Sequence, residues 1–180
     1  MRPAPPRPVA AVCLWLALYS CAGLHPAPQY APPEEGGGDA VARDLGVRRA
    51  AFRAGDRGRL MDAVEGYLGV PYRWGGTTRE GKDCSALTRA VYRQAYGLEL
   101  PRTSGQMYRL GRPVSRRQDL LPGDLVFFRL GESGPGVSHV GVYMGRGRFA
   151  HASVSRGGVI DPLGDPYFAA RYAGARRLLP

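Results

Sequence analysis

Asp83-Cys84-Ser85-Ala86-Leu87-Thr88-Arg89-Ala90-Val91-Tyr92-Arg93-Gln94-Ala95-Tyr96-Gly97 reads as a helix with a thiol at its head. Ala86, Leu87, Ala90, Val91 and Ala95 recur at helical spacing and mark one face for burial. Asp83 supplies an N-cap and Gly97 a stop. Cys84 therefore falls in the first turn, where unpaired N–H groups and the positive end of the helix dipole favour an anion. Such a placement is expected to lower the thiol pKa from about 8.5 into the range of about 3.5–7.5. A thiolate so placed suits attack on a carbonyl, and the spare N–H groups of the same turn can receive the oxyanion.

Working outward, Leu60, Val64, Tyr67 and Leu68 share a helical face upstream, with Asp56 as N-cap and Gly69 at the end. Residues 70–76 form a loop. Downstream the pattern changes to short strands: Asp124 to Arg129, His139 to Met144, Arg148 to Ser153, Gly158 to Asp161 and Tyr172 to Leu179. Helices followed by a run of antiparallel strands predict an α+β fold, with N-terminal helices packed on a sheet of about five strands. Ala40 to Arg53 is poorly patterned, and its structure is left open.

A nucleophilic thiol needs a base, and residues 57–180 hold only His139 and His151. Gly145-Arg146-Gly147 reads as the turn of a hairpin between their strands. If the loop has three residues, Met144 faces Arg148, Tyr143 pairs with Phe149 and Gly141 with His151. The two imidazoles are then diagonal neighbours on one face, roughly 7 Å apart at their backbones. A two-residue loop would slip the register by one and turn the rings to opposite faces. The glycines favour the longer form. In it His139 shares the Cys84 proton, and His151 orients the His139 ring.

The N-terminus carries different information. Met1 to Pro8 holds Arg2 and Arg7 and no acid, and Val9 to Tyr19 is an eleven-residue apolar run. A membrane-spanning helix needs roughly 20 apolar residues, so this pattern predicts an export signal over residues 1–20. Leu18-Tyr19-Ser20-Cys21 resembles a lipobox, which would make Cys21 an acylated residue and a membrane anchor. Ala22 follows where relatives kept at the inner membrane have aspartate, which implies the outer membrane, facing the periplasm. Ordinary cleavage near Ala22, giving a soluble secreted protein, is the alternative. Residues 21–56 form a linker, because His25 to Gly38 contains four prolines and three glycines. With Cys13 in the signal and Cys21 at the lipid site, Cys84 has no partner for an internal disulfide. The net charge of +10 and pI near 10.1 would suit nucleic acid in a cytoplasmic protein. Export points instead to an anionic wall polymer or membrane surface, with no nucleic-acid partner.

The string Pro71-Tyr72-Arg73-Trp74-Gly75-Gly76, then Asp83-Cys84-Ser85, then Leu100-Pro101-Arg102-Thr103-Ser104 resembles the NlpC/P60 family of papain-like cell-wall cysteine peptidases. So do Leu121-Pro122-Gly123-Asp124-Leu125-Val126-Phe127-Phe128, Ser138-His139-Val140-Gly141-Val142-Tyr143 and Phe149-Ala150-His151-Ala152-Ser153. The motifs come in family order over residues 57–180, the expected catalytic domain, and are most similar to the small lipoprotein murein endopeptidases. The resemblance implies hydrolysis of a peptide bond in peptidoglycan stem peptides or crosslinks, without a cofactor. It implies Cys84, His139 and His151 as the triad and Tyr72 as an aid to the oxyanion. Asp83 and Ser85 match positions that hold a substrate amine in relatives, and Arg102 matches a recurrent arginine. Ala86 departs from the usual glycine and is expected to narrow the cleft.

Three rivals stand beside this reading. Cys84, His139 and His151 could form a three-ligand hydrolytic zinc centre, although no close paired spacing of a metal motif is present. The same fold could act as an amidase or transacylase on a non-murein amide, or the chain could be a non-enzymatic wall-binding lipoprotein. A monomer is expected.

Overall fold

The computed structural model describes residues 56–130 and 136–179. The expected export signal, Cys21, the linker and Ala40 to Arg53 lie outside these residues. Helix α1 spans Asp56–Glu65 and buries Leu60, Ala63 and Val64. It stops short of Gly69, so Leu68 lies beyond its end and is exposed, whereas Tyr67 is buried as its apolar spacing predicts. A two-stranded hairpin follows, β1 (Thr77–Thr78) and β2 (Gly81–Lys82).

Helix α2 (Cys84–Tyr96) is the central element. The Asp83 carboxylate accepts the Ala86 N–H at 2.8 Å, and Gly97 closes the helix at φ 64°, a left-handed conformation that favours glycine. Its inner face, Leu87, Ala90, Val91 and Ala95, joins one core with Val140, Val142, Ala150 and Ala152 of the sheet. Each fully buried Val or Leu there stabilises the fold by about 1.5–3 kcal/mol. The Tyr92 hydroxyl donates to the Gly123 carbonyl, so even the buried polar atom of this face is satisfied.

The remaining elements are α3 (Ser104–Met107), β3 (Arg112–Val114), a 3₁₀ turn (Arg117–Asp119), β4 (Leu125–Phe128), β5 (His139–Gly145), β6 (Arg148–Ser153), β7 (Gly157–Pro162), α4 (Pro166–Arg171) and β8 (Tyr172–Arg177). They build a six-stranded antiparallel sheet in the order β3-β8-β4-β5-β6-β7. The expected five strands are all present. The sixth, β3, carries Pro113 and is mostly exposed, as suits a short edge strand and as hides it from apolar periodicity. Helix α2 covers one face of the sheet. The other buries Val126, Phe128, Tyr143, Phe149 and Phe168 in a second core. Burial on both faces explains the unbroken apolar run Leu125-Val126-Phe127-Phe128.

The hairpin between β5 and β6 differs from the expected loop. Gly145 pairs with Arg148 across a two-residue turn, Arg146-Gly147, whose central residues have φ 52° and 68°. Positive φ at both is what a type I′ turn requires. Between Tyr143 and Gly145 the register shifts by one, a bulge that absorbs the extra residue. Tyr143 still pairs with Phe149 and Val142 with Ala150, so the predicted strand register is present on a different turn. At the far edge Gly158 lies so near the chain that an added Cβ would fall 2.0 Å from the Tyr67 carbonyl oxygen. Gly69 N–H bonds to Gly158 O and Gly158 N–H to Val70 O, both at 2.9 Å, which ties the segment leading to the Cys84 helix onto β7.

Candidate active site

Cys84 lies in the first turn of α2 as its sequence predicts, and it is buried. The backbone N–H groups of Val140, Ser85 and Cys84 itself favour its anionic form. The Val140 contact sets the sulfur against the first residues of β5, next in the chain to His139. Burial nevertheless pushes the thiol up to about 11, and the Asp83 carboxylate adds to the rise. The expected low-pKa thiolate is therefore not the resting form: desolvation by burial outweighs the helix-head amides.

His139 begins β5 and His151 lies in β6, both buried. Their rings meet, His139 Nε2 to His151 Nδ1 at 2.9 Å and nearly perpendicular. The aromatic wall behind them is close. Phe149 stacks on His151 at 4.7 Å between centroids, Phe168 meets it edge-on at 5.2 Å, and Phe128 lies 6.0 Å from His139. This apolar casing lowers the His139 pKa to about 3, with the His151 ring adding to the shift. Burial also lowers His151, against the opposing pull of Asp161. Burial thus keeps the thiol and both imidazoles neutral, the thiol held against the Val140 amide with His139 one residue earlier in the same strand.

Sequence reasoning missed Asp161 and Arg156. His151 Nε2 lies 2.9 Å from Asp161 Oδ2, and Arg156 closes on the same carboxylate at 2.5 and 3.1 Å. Phe149 pairs with Asp161 and His151 with Val159, so Asp161 is a diagonal neighbour of His151 on the adjacent strand. An acid two residues beyond Val159 was the available signal, but it needed the β6–β7 register to be read.

On the other side of Cys84, Asp83 does more than cap. Its Oδ1 accepts from the Ser85 hydroxyl at 2.8 Å and from Arg102 Nη1 at 3.1 Å, and its Oδ2 accepts from Arg102 Nη2 at 2.5 Å. Arg102 Nη1 also donates to the Ser85 oxygen at 2.6 Å. Arg102, for which the sequence offered no role, is thus a partly exposed guanidinium anchored beside the thiol. Tyr72 is held near by a backbone bridge to Lys82. Burial pushes its hydroxyl up to about 12, and the Cys84 and Asp83 charges add to this, so it keeps its proton and can donate. Cys21 lies outside the described residues. Among them, no three His, Cys, Asp or Glu side chains are grouped to hold a metal ion.

The NlpC/P60 family model matches residues 69–177. The chain is 44% identical over 123 residues to the murein DD-endopeptidase MepS/murein LD-carboxypeptidase of Escherichia coli, an overlap of 68% of this chain and 63% of that one. It is 41% identical over 135 residues to the gamma-DL-glutamyl hydrolase of Bacillus subtilis, covering 74% of this chain and 32% of that one. The chain therefore spans less than two thirds of the length of these relatives. Among solved structures, an NlpC/P60 family protein from Bacillus cereus superposes with a TM-score of 0.62 at 38% identity, covering 69% of this chain and 40% of that one.

Proposed function

This chain belongs to the NlpC/P60 family, and on that premise we propose that it is a cysteine endopeptidase hydrolysing a peptide bond of peptidoglycan stems or crosslinks. The observation that carries the proposal is the site itself: a buried thiol at a helix head against the Val140 amide, and, one residue before Val140, His139 paired with a second imidazole. In this reading Cys84 Sγ attacks the scissile carbonyl while its proton passes to His139. The carbonyl oxygen becomes an oxyanion, which the Tyr72 hydroxyl and helix-head amides stabilise. His139 then protonates the leaving amine as the C–N bond breaks, and water hydrolyses the thioester with His139 again as base. The proton leaves as the carbon–sulfur bond forms, because the resting thiol is neutral.

Arg102 fits an acidic substrate. Its charge is fixed in place by Asp83 and Ser85, and its partly exposed guanidinium suits the carboxylates of a stem peptide. The names of the two relatives above, a murein endopeptidase and a glutamyl hydrolase, support the same substrate class. Residues 57–180 form the catalytic domain in this proposal, preceded by an export signal over 1–20 and a linker over 21–56. Acylation at Cys21 would tether the domain to the outer membrane facing the periplasm. No described helix is long and apolar enough to cross a membrane.

The test is digestion of purified murein with residues 57–180, followed by mass spectrometry of the muropeptides. New stem-peptide fragments, absent with Cys84→Ala, are expected. An unchanged profile with the wild-type domain would refute the substrate, and undiminished cleavage by Cys84→Ala would refute the nucleophile.

A further inference from the structure

Beyond the two histidines the polar chain continues through groups that touch no expected substrate. Asp161 accepts from His151 Nε2 at 2.9 Å, and Arg156 grips both carboxylate oxygens. The Asp161 side chain is only 10% exposed while that of Arg156 is 55% exposed, so a surface guanidinium reaches inward to hold a buried carboxylate. Both arise from the β6–β7 hairpin, Arg156 from its turn and Asp161 from the return strand.

We infer that Asp161, clamped by Arg156, is a positioning residue that sets the tautomers of both histidines and so decides which nitrogen of His139 can act as a base. The inference rests on the cysteine-peptidase reading for its consequence, though not for its geometry. An ionised carboxylate only accepts hydrogen bonds. Next to Asp161 the neutral His151 ring must therefore carry its proton on Nε2. Its Nδ1 is then a bare acceptor, and the only bond it can make to His139 is from a proton on His139 Nε2. That leaves His139 Nδ1 unprotonated and unengaged by His151, as a base requires. The donors run one way, from His139 to His151 to Asp161.

Without the carboxylate the two rings do not fix that direction between them, and the Ala152 backbone is the other group bonded to the His151 ring. His151 could then carry its proton on Nδ1 and donate it to His139 Nε2, which would move the His139 proton to Nδ1 and remove the lone pair needed for Cys84. Molecules in that state would lack the base, and turnover would fall with their share of the population. The aromatic casing sharpens the effect, since the Phe149 and Phe168 rings packed on His151 offer no side-chain oxygen to replace the missing acceptor. Salt-bridge formation alone does not require Asp161 to face His151; the His151 contact is the informative one.

The experiment is nitrogen-15 NMR of the His139 and His151 ring nitrogens in the full chain, beside steady-state kinetics and thermal melts. In the wild type, both rings should be protonated on Nε2. In Asp161→Ala, a population protonated on Nδ1 should appear in both. kcat should fall about 10- to 100-fold, as for other groups that orient a functional histidine, with KM within about twofold. Arg156→Ala keeps the acceptor, so both rings should remain on Nε2 with a smaller loss of kcat. A wild-type His151 proton found on Nδ1 overturns the inference without any variant. So does Asp161→Ala with both rings still on Nε2, or a kcat loss in it that a thermal-shift-matched surface variant reproduces. If Cys84→Ala retained activity, the peptidase reading would fail while the tautomer assignment stood, so the two are separable.

Discussion

His139 Nε2 and His151 Nδ1 stand 2.9 Å apart as diagonal neighbours on adjacent strands, in a register that a bulge at the end of β5 preserves. The pair is enclosed by Phe128, Phe149 and Phe168, and the enclosure decides its protonation as much as its geometry.

Cys84 should rest as a neutral thiol. Burial holds the thiol near 11 and His139 near 3, so neither group is charged at pH 7. The rate of alkylation by iodoacetamide should rise about tenfold per pH unit from pH 7 to pH 10, since only the thiolate reacts. A rate that is level from pH 5 to pH 8 would mean a preformed thiolate–imidazolium pair and defeat this expectation.

Gly141→Ala should damage the site more than the fold. An added Cβ would lie 2.6 Å from the Ala150 carbonyl oxygen, 2.7 Å from the Phe149 ring and 3.2 Å from His151 Cβ. Backbone or ring must give, and His151 is one of the three neighbours. Misplacement of a functional group by about 1 Å can cost about 100-fold in rate. Murein turnover should drop by about that factor while the protein still melts cooperatively. Wild-type turnover in a folded variant would show that His151 is not displaced.

Arg102 should act on both binding and stability. Arg102→Ala leaves the buried Asp83 carboxylate without its cation and removes charged hydrogen bonds worth about 1.5–3 kcal/mol. KM for an acidic stem peptide should rise and the melting temperature should fall. Arg102→Lys should recover little of either, because an ammonium cannot reproduce the two-pronged contact. Full recovery with lysine would argue against the geometric role.

Far from the site, Arg177 Nε and Nη2 meet the two Asp124 oxygens at 2.7 and 2.6 Å, both side chains being buried. Asp124→Ala strands a buried guanidinium and should cost about 3–5 kcal/mol in urea unfolding. The double variant Asp124→Leu/Arg177→Met should regain most of it, since neither charge is then left alone. A double variant no more stable than the single one would contradict this account.

What the sequence alone determined is local and periodic. Helical spacing, the Asp83 cap and the Gly97 stop were enough to place Cys84 in the first turn of α2, because these signals act within a few residues. Short strand-like runs were enough for five of the six strands of the main sheet, while their order in it came from the tertiary structure. Tertiary structure alone decided the rest. Whether the thiol ionises depended on desolvation by a sheet distant in sequence, which reversed the expectation drawn from the helix head. The β5–β6 register survived through a bulge that no pattern announces. The contacts of Asp161 with His151 and of Arg102 with Asp83 and Ser85 arose only once separate segments came together in space. Charge and hydrogen bonding at a buried site are set by everything within a few ångströms in space, and chain order records only the neighbours along the backbone.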